Sequence, residues 1–405
     1  MIQLKNICTK IGSGATPTGG KSAYLSQGIS LIRSQNVLDY TFAMDGLAYI
    51  NEDQAMKLNN VEVQKGDILL NITGDSVARV CIVPDNVLPA RVNQHVAIIR
   101  VDKDKADNNY VLYSLIKSKK SLLSLAGGGA TRNALTKKMI EEFEIELPQL
   151  SIQKKISAQL SEIDDKIAVN RRICENLEAQ TQALFKHWFI DFAPFKNGKF
   201  VESELGMIPE GWRVGRADDF YTINIGKTPP RAERQWFSES RENNKIWISI
   251  SDMGGCGVFI SDSKEYLTPE AQSKFNVVMV PVGTVLLSFK LTLGRVAIAD
   301  AELTTNEAIA RFILPNSDYR EYTYLYLKQF KYGSLGSTSS IATAVNSKII
   351  KAMPFLMPSK EIIKDFSNKA GKLFDEIKNL NQESSRLSTL RDTLLPKLMS
   401  GQIKL

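Results

Sequence analysis

The sequence predicts an α+β chain: two similar mixed α/β domains joined by two long helices that form an antiparallel coiled coil, with a pseudo-twofold internal repeat. Three observations lead there. Two stretches carry apolar residues at alternating spacings of four and three, the stretches are offset by a constant 210 positions, and the segments before each of them spell out one succession of strands, helix and loop.

The first stretch runs from Ser151 to Trp188, with a seam of Ile156, Leu160, Ile163, Ile167, Asn170, Cys174, Leu177, Thr181, Leu184 and Trp188. The second seam is Phe366, Ala370, Leu373, Ile377, Leu380, Ser384, Leu387, Arg391, Leu394 and Leu398. A 4-3 seam held over several heptads with charged flanks is the pattern of a coiled coil, because a 3.5-residue repeat keeps one stripe facing a partner. Two independent amphipathic helices, each packed on its own domain, would not explain the shared offset. Pro396 is expected to bend or break the second helix ahead of Leu398.

Residues 1–148 read as the first domain. Its β-like runs are at 28–34, 66–73, 79–83 and 95–101, followed by a helix pattern with Val111, Leu112, Leu115, Ile116 and Leu122 on one side, a GGGATRNALT loop and a last strand ending at Pro148. A long helix occupies 149–188, and residues 189–211, rich in Pro, Gly and charge, read as a linker without elements. Residues 212–357 repeat the plan with runs at 245–251, 283–289, 295–299 and 308–314, and 358–405 form the second long helix. Gly14-Ala15-Thr16-Pro17 answers Gly226-Lys227-Thr228-Pro229, Gly66 answers Gly283, Arg79-Val80 answers Arg295-Val296, Asn93 answers Asn306, and Pro148 answers Pro358. Because the second domain begins soon after one helix ends and finishes where the other begins, the helices are expected to run antiparallel. Layer chemistry does not decide this, since antiparallel overlap sets Asn170 against Ser384 and parallel overlap sets Thr181 against Arg391. A helix of this length spans on the order of 55 Å, about one and a half turns of a duplex. Two related heads on such a rod suit a partner with its own two-fold, of which duplex DNA is the commonest.

Composition removes several classes of function. No apolar run reaches the ~18–20 residues of a membrane span, and the N-terminus lacks the apolar region of a signal peptide, so the expected location is the cytoplasm. The four cysteines, Cys8, Cys81, Cys174 and Cys256, form no C-x-x-C pair, and the two histidines, His95 and His187, leave little material for a metal site or a catalytic triad. The net charge of +7 divides as +2 over 1–150, −1 over 151–211, +3 over 212–357 and +3 over 358–405. That mild excess permits a polyanionic partner without identifying one.

Catalytic motifs fail on inspection. The segment Gly14 to Ser22 approaches a phosphate loop, but Ala15 stands where its first glycine belongs and Pro17 removes a backbone donor. Thr228-Pro229-Pro230-Arg231 has the wrong flanks for an adenine-methylating cluster, and Asp85 has no accompanying carboxylate and lysine for a metal-dependent nuclease. No catalytic or metal-ligating constellation is expected.

Polar loop chemistry repeats in both domains instead. Arg33-Ser34-Gln35-Asn36, Thr73, Arg91, Asn93, Gln94, Arg132 and Asn133 in the first half are answered by Lys227, Arg231, Arg241, Asn243, Asn244, Ser249, Ser251, Asp252, Lys290 and Asn306 in the second. Arginine forks match guanine edges, and the paired donor and acceptor of Asn and Gln match adenine edges. The scaffold glycines and prolines agree between halves while these polar groups do not. Two heads with one frame and different tips would read different base sequences in double-stranded DNA. A coiled-coil scaffold whose domains bind proteins is the rival reading.

The order and duplication of Gly-x-Thr-Pro, GDILLNITG with its echo GTVLLSF, QALFKHWFIDF closing the first helix, IPEGW opening the second domain and LLPKLMSGQI at the C-terminus resemble the specificity subunit of type I restriction-modification systems over essentially the whole chain. The resemblance implies a non-catalytic chain whose two target recognition domains each read half of a split DNA target across a gap set by the helices. It also implies that the helices recruit two methylation subunits, which carry S-adenosylmethionine, and two restriction or motor subunits, which use ATP and Mg, with no cofactor on this chain. Lys154, Lys155, Arg171, Arg172, Glu175, Lys186, Lys364, Lys372 and Lys378 are then candidate docking positions.

Overall fold

A computed structural model describes residues 1–127, 133–335 and 345–404. They form two compact units, one of Met1–Val169 with Glu383–Leu405 and the other of Asn170–Gln382. The long helices are Leu150–Phe189 and Lys360–Met399, so each contributes one part to each unit. No described helix is long and apolar enough to cross a membrane.

In the first unit a four-stranded antiparallel sheet has the order Cys8–Ser13, Val96–Val101, Ile68–Asn71, Val80–Ile82. A second sheet orders Ala48–Ile50, Ile29–Ile32, Ala90–Val92 and Glu62–Val63, with Ile29–Ile32 and Ala90–Val92 parallel. The run Ile68-Leu69-Leu70 is apolar at every position because both faces of the central sheet are covered. Ile68, Leu70 and Ile99 enter one core, whereas Leu69 and Ile98 enter the other.

The other unit repeats the arrangement. Thr222–Ile225, Ile309–Ile313, Val285–Ser288, Val296–Ala299 and Phe259–Ile260 form its main sheet, and Lys245–Ile248 pairs in parallel with Thr304–Thr305 as Ile29–Ile32 does with Ala90–Val92. Tyr110 donates its hydroxyl to Glu146 O at 3.1 Å and Tyr322 donates to Leu356 O, in each case to the carbonyl two residues before the matched proline. One substitution inside the frame stands out. Ile68 faces Ile99 and Val285 faces Phe312, so Arg311 occupies the place of Ile98. Its buried guanidinium donates to Val278 O at 2.8 Å and Ile225 O at 2.9 Å, and burial pulls its pKa down.

The helix segments run antiparallel within each unit. In the first, Lys166 pairs with Glu383 at 3.4 Å and Asp164 with Arg391 at 2.6 Å. In the other, Cys174 approaches Ile377 O and the Phe185 and Phe366 rings lie 6.2 Å apart. The seam positions Ile156, Leu160, Phe366, Ile377 and Leu380 are buried, whereas Ile163, Ile167, Leu177, Leu184, Leu373, Leu387 and Leu394 are half-buried. Phe185, Phe189 and Phe374, which lie off the 4-3 seam, are buried as well, because each helix serves both its partner helix and a β domain.

Two expectations are corrected. The second helix runs unbroken through Pro396 to Met399, and Leu398 is only 3% exposed. A proline costs a helix one backbone bond, but here the last turn is closed by Ser400 N donating to Pro396 O and Gly401 N donating to Leu398 O. The segment 189–211 contains a hairpin, Phe200–Ser203 with Gly206–Pro209. Gly206 supplies the left-handed φ of 92° after the turn, and the Ser203 hydroxyl donates to Gly206 O at 2.6 Å.

Glu321 binds a β domain to the second long helix. Its carboxylate accepts from Arg320 Nε at 2.7 Å and Ser367 Oγ at 3.0 Å, and burial raises its pKa above the ordinary carboxylate value more than the Arg320 charge lowers it. A raised folded pKa means that the native state holds the proton more tightly than the unfolded chain, so this group stabilises most below the unfolded pKa and loses that contribution as pH rises through the folded one. Denaturation of this unit is therefore expected to show a stability gain on acidification just above the ordinary carboxylate range. Glu321→Gln flattens that part of the pH profile.

Candidate nucleic-acid interface

The Gly-x-Thr-Pro segments dock onto equivalent turns. A Cβ on Gly14 would lie 2.1 Å from Val92 O and 2.2 Å from Asn93 O, and one on Gly226 would lie 2.1 Å from Asn306 O and 2.2 Å from Thr305 O. Only glycine admits such a backbone approach. Gly14 N donates to Val96 O and Ala15 N to Val92 O, while Gly226 N donates to Ile309 O and Lys227 N to Thr305 O. Asn93 Oδ1 accepts from His95 N at 3.1 Å, and Asn306 Oδ1 accepts from Ala308 N at 3.1 Å. The Thr16 hydroxyl donates to Gln94 Oε1 at 2.7 Å, and the Thr228 hydroxyl donates to Glu307.

The units then diverge. In the first, Gln94 Nε2 lies 3.0 Å from His95 Nε2, and His95 Nδ1 lies 2.6 Å from Thr73 Oγ1. Thr16, Gln94, His95 and Thr73 thus form one continuous polar strip. The other unit has Ala308 in place of His95 and an exposed Lys290 in place of Thr73.

A second matched turn follows each parallel strand. Arg33 N donates to Asn36 Oδ1 at 3.0 Å, and Ser249 N donates to Asp252 Oδ2 at 2.8 Å. Asn36 Nδ2 also reaches Ala43 O at 2.9 Å, while Arg33 and Gln35 both donate to Gly46 O. Asp252 accepts further from the Ser249 hydroxyl at 2.6 Å. Gln35 and Ser251 are the exposed tips of these frames.

The structure therefore brings Arg33, Ser34, Gln35 and Asn36 into one turn, gathers Thr73, Asn93 and Gln94 at another, and places Ser249, Ser251 and Asp252 in the equivalent of the first. Arg91 is not free to reach a ligand. It is 6% exposed and donates to Ala55 O at 3.1 Å, Asn59 Oδ1 at 3.2 Å and Glu62. The reason is its position in the buried strand Ala90–Val92. Asn36, Asn93, Asn306 and Asp252 likewise spend polar groups on their own turns. Arg231 lies over the Phe237 and Trp247 rings, 4.5 and 4.7 Å from their centroids, and pairs with Glu265.

Arg241, paired with Asp262 at 3.4 Å, and Asn243, at a left-handed φ of 61°, are exposed, and Asn244 Nδ2 donates to Ser240 O and Glu242 O. Asn133 is exposed with its carbonyl accepting from Gly74 N, and Lys227 Nζ reaches Phe275 O at 3.4 Å. Arg132 lies outside the described residues. Thr16 and Thr228, marked in the sequence only as part of the repeated Gly-x-Thr-Pro, and His95, which nothing in its type marks, take part in these turns together with the Asn-Gln and Asn-Glu pairs at matched places. Among the helix candidates, Lys378 pairs with Asp300 at 2.5 Å and so belongs partly to the fold. Among the described residues no group of three or more His, Cys, Asp or Glu could hold a metal ion.

The family model described as the type I restriction modification DNA specificity domain matches residues 1–179 and again 209–384. The chain belongs to that family. It is 29% identical over 98% of its length to the MjaIX specificity subunit of Methanocaldococcus jannaschii, covering 91% of that protein. It is 25% identical to the HindI specificity subunit of Haemophilus influenzae, over 65% of this chain and 70% of the relative. A solved specificity subunit from M. genitalium shares the fold, with a TM-score of 0.53 at 13% identity over 98% of this chain and 95% of that one. Specificity subunits confer DNA sequence specificity and are non-catalytic, and this chain is a non-catalytic member.

Proposed function

We propose that this specificity subunit reads a bipartite target in double-stranded DNA, one half by the recognition domain of residues 1–148 and the other by that of 212–357. The helices 149–188 and 358–405, with the 189–211 segment between, set the unspecified gap. They also dock two methylation subunits, which bind S-adenosylmethionine, and two restriction or motor subunits, which use ATP and Mg, in the cytoplasm. The observation that carries this reading is the repeated frame with unlike tips. Matched turns hold Gln35 against Ser251, Thr73 against Lys290 and Gln94 against Glu307, so one scaffold offers different hydrogen-bonding edges. In this reading Arg33, Ser34, Gln35, Thr73, Gln94, Arg132, Asn133, Lys227, Arg241, Asn243, Asn244, Ser251 and Lys290 face DNA. Asn36, Arg91, Asn93, Arg231, Ser249, Asp252 and Asn306 shape the loops that present them.

The test is methylome sequencing of a host expressing the chain with its methylation subunit, followed by the same experiment on Gln35→Ala. A two-part methylated motif is expected, and the variant relaxes one position of one half by a factor of ~5–100 while leaving the other half intact. Duplex affinity of the complex should fall log-linearly with salt. Absence of a two-part motif, or a chain that assembles with proteins but shows no duplex affinity, favours a protein-binding scaffold and ends the proposal.

A further inference from the structure

The strand Val285–Ser288 leads into a tight loop whose tip is Leu291. Its side chain is fully exposed at 102%, and its backbone is left-handed at φ 59°. That conformation is sterically costly for any residue with a Cβ. The loop does not relax out of it because Thr292 N donates to Lys290 O at 2.7 Å, the Ser288 hydroxyl donates to Thr292 O at 2.6 Å, and Gly294 N donates to Ser288 O at 3.0 Å.

The internal repeat shows what this position needs for folding alone. Asn71 N donates to Arg79 O as Ser288 N does to Arg295 O, and Ile72 N donates to His95 O as Phe289 N does to Ala308 O. Counting forward from Asn71 and Ser288, Leu291 corresponds to Gly74, which takes the same left-handed backbone at φ 73°, and the loop on to Arg295 is then one residue shorter than the loop on to Arg79. Glycine meets the conformational demand without strain. The other copy of the frame places a fully exposed isobutyl group there, beside an exposed Lys290, on a loop rooted at the Asn306–Ala308 turn.

Resting on the function proposed above, we infer that Leu291 is a specificity-determining residue that packs on a base of the half-site read by the second recognition domain, with Lys290 drawing the loop to the phosphates. Apolar groups held rigidly at a loop tip recognise a thymine methyl or wedge against a base step, and a fixed tip loses little freedom on binding.

The test uses the full chain assembled with its methylation subunits and competition binding against its methylated motif and every single-base variant of it. Leu291→Ala and Leu291→Gly should each bind the motif roughly 5- to 30-fold more weakly. They should lose preference at one position of one half-site and read the other half as before. Leu291→Gly copies Gly74 and removes the backbone strain, so its melting temperature should not fall, which separates lost contact from lost fold. Deoxyuridine in place of thymine reproduces the loss on the wild-type complex if the methyl is the contact, and 2-aminopurine fluorescence rises at the position if the side chain wedges between bases. Unchanged affinity and preference in both variants overturns the inference. So does weakened assembly with methylation subunits at unchanged base preference, which would make Leu291 a protein contact. A wild-type complex without any two-part preference defeats the functional reading as well.

Discussion

Gly226→Ala and Gly14→Ala are each expected to destabilise their own unit by about 3–5 kcal/mol, the range of severe steric defects. The added Cβ would lie within 2.2 Å of two backbone carbonyl oxygens in either case. Neither side can yield cheaply, since the docked strand donates to the same turn through Ala15 N or Lys227 N, and the turn is closed by Asn93 or Asn306. Trp247 Nε1 donates to Lys227 O at 3.0 Å, so tryptophan fluorescence reports directly on Gly226→Ala. All four tryptophans, at 188, 212, 236 and 247, belong to the unit Asn170–Gln382, so Gly14→Ala must be followed by amide hydrogen exchange in the strands Cys8–Ser13 and Ala90–Val92. A normal midpoint and normal exchange protection in both variants would show that the turns accommodate a methyl group and that the motif is not a steric requirement.

The second large effect belongs to Arg391. This cation sits in a mostly apolar seam and is held from several sides. Nη1 donates to Asp164 at 2.6 Å, Nε donates to Asp392 at 3.0 Å, and the guanidinium carbon stands 3.4 Å from the centre of the Tyr40 ring. The Tyr113 hydroxyl takes the other Asp164 oxygen at 2.6 Å, and the Tyr40 hydroxyl donates to Asp392 at 3.1 Å. The clasp fastens a β-domain loop and both helix segments of the first unit. The side chains of Arg391 and Asp164 are only 9% and 23% exposed, so removing one partner strands a poorly solvated charge.

Arg391→Ala is therefore expected to cost about 3 kcal/mol. Arg391→Lys should recover little, because an ammonium lacks the planar fork and the stacking face. Hydrogen exchange across 156–167 and 387–398 is the measurement, with the tryptophan-detected transition of the other unit serving as the internal control. Wild-type protection in Arg391→Ala would reduce the clasp to a surface ornament.

Much of the fold was legible because it obeys local rules. The runs at 66–73, 79–83 and 95–101 and their counterparts became strands since continuous apolar runs between turn residues suit sheets covered on both faces. The 4-3 seams became helices of 40 residues each, antiparallel as chain connectivity required. Burial beyond the seam was not legible. Phe185, Phe189 and Phe374 are buried by domains packed on the flank of the helix, and a periodicity built for a two-helix contact has no term for a third body. The short hairpin at 200–209 was hidden by composition that reads equally well as a linker.

The candidate interface was half visible. Residue type and repetition pointed to turns that occupy matched places in the two units, yet type alone could not separate Gln35, which is exposed, from Asn36 in the same turn, which is fully buried. Nor could it show that Arg91 is consumed by Ala55, Asn59 and Glu62, or that Leu291 stands exposed where its counterpart is glycine. The sequence by itself determined the duplication, the order of elements, the direction of the helix pair and the family. Tertiary structure alone decided which polar groups remain available and which seam position is a clasp, because a side chain's partners come from residues far along the chain, and their distances are set only when the sheets and helices close on one another.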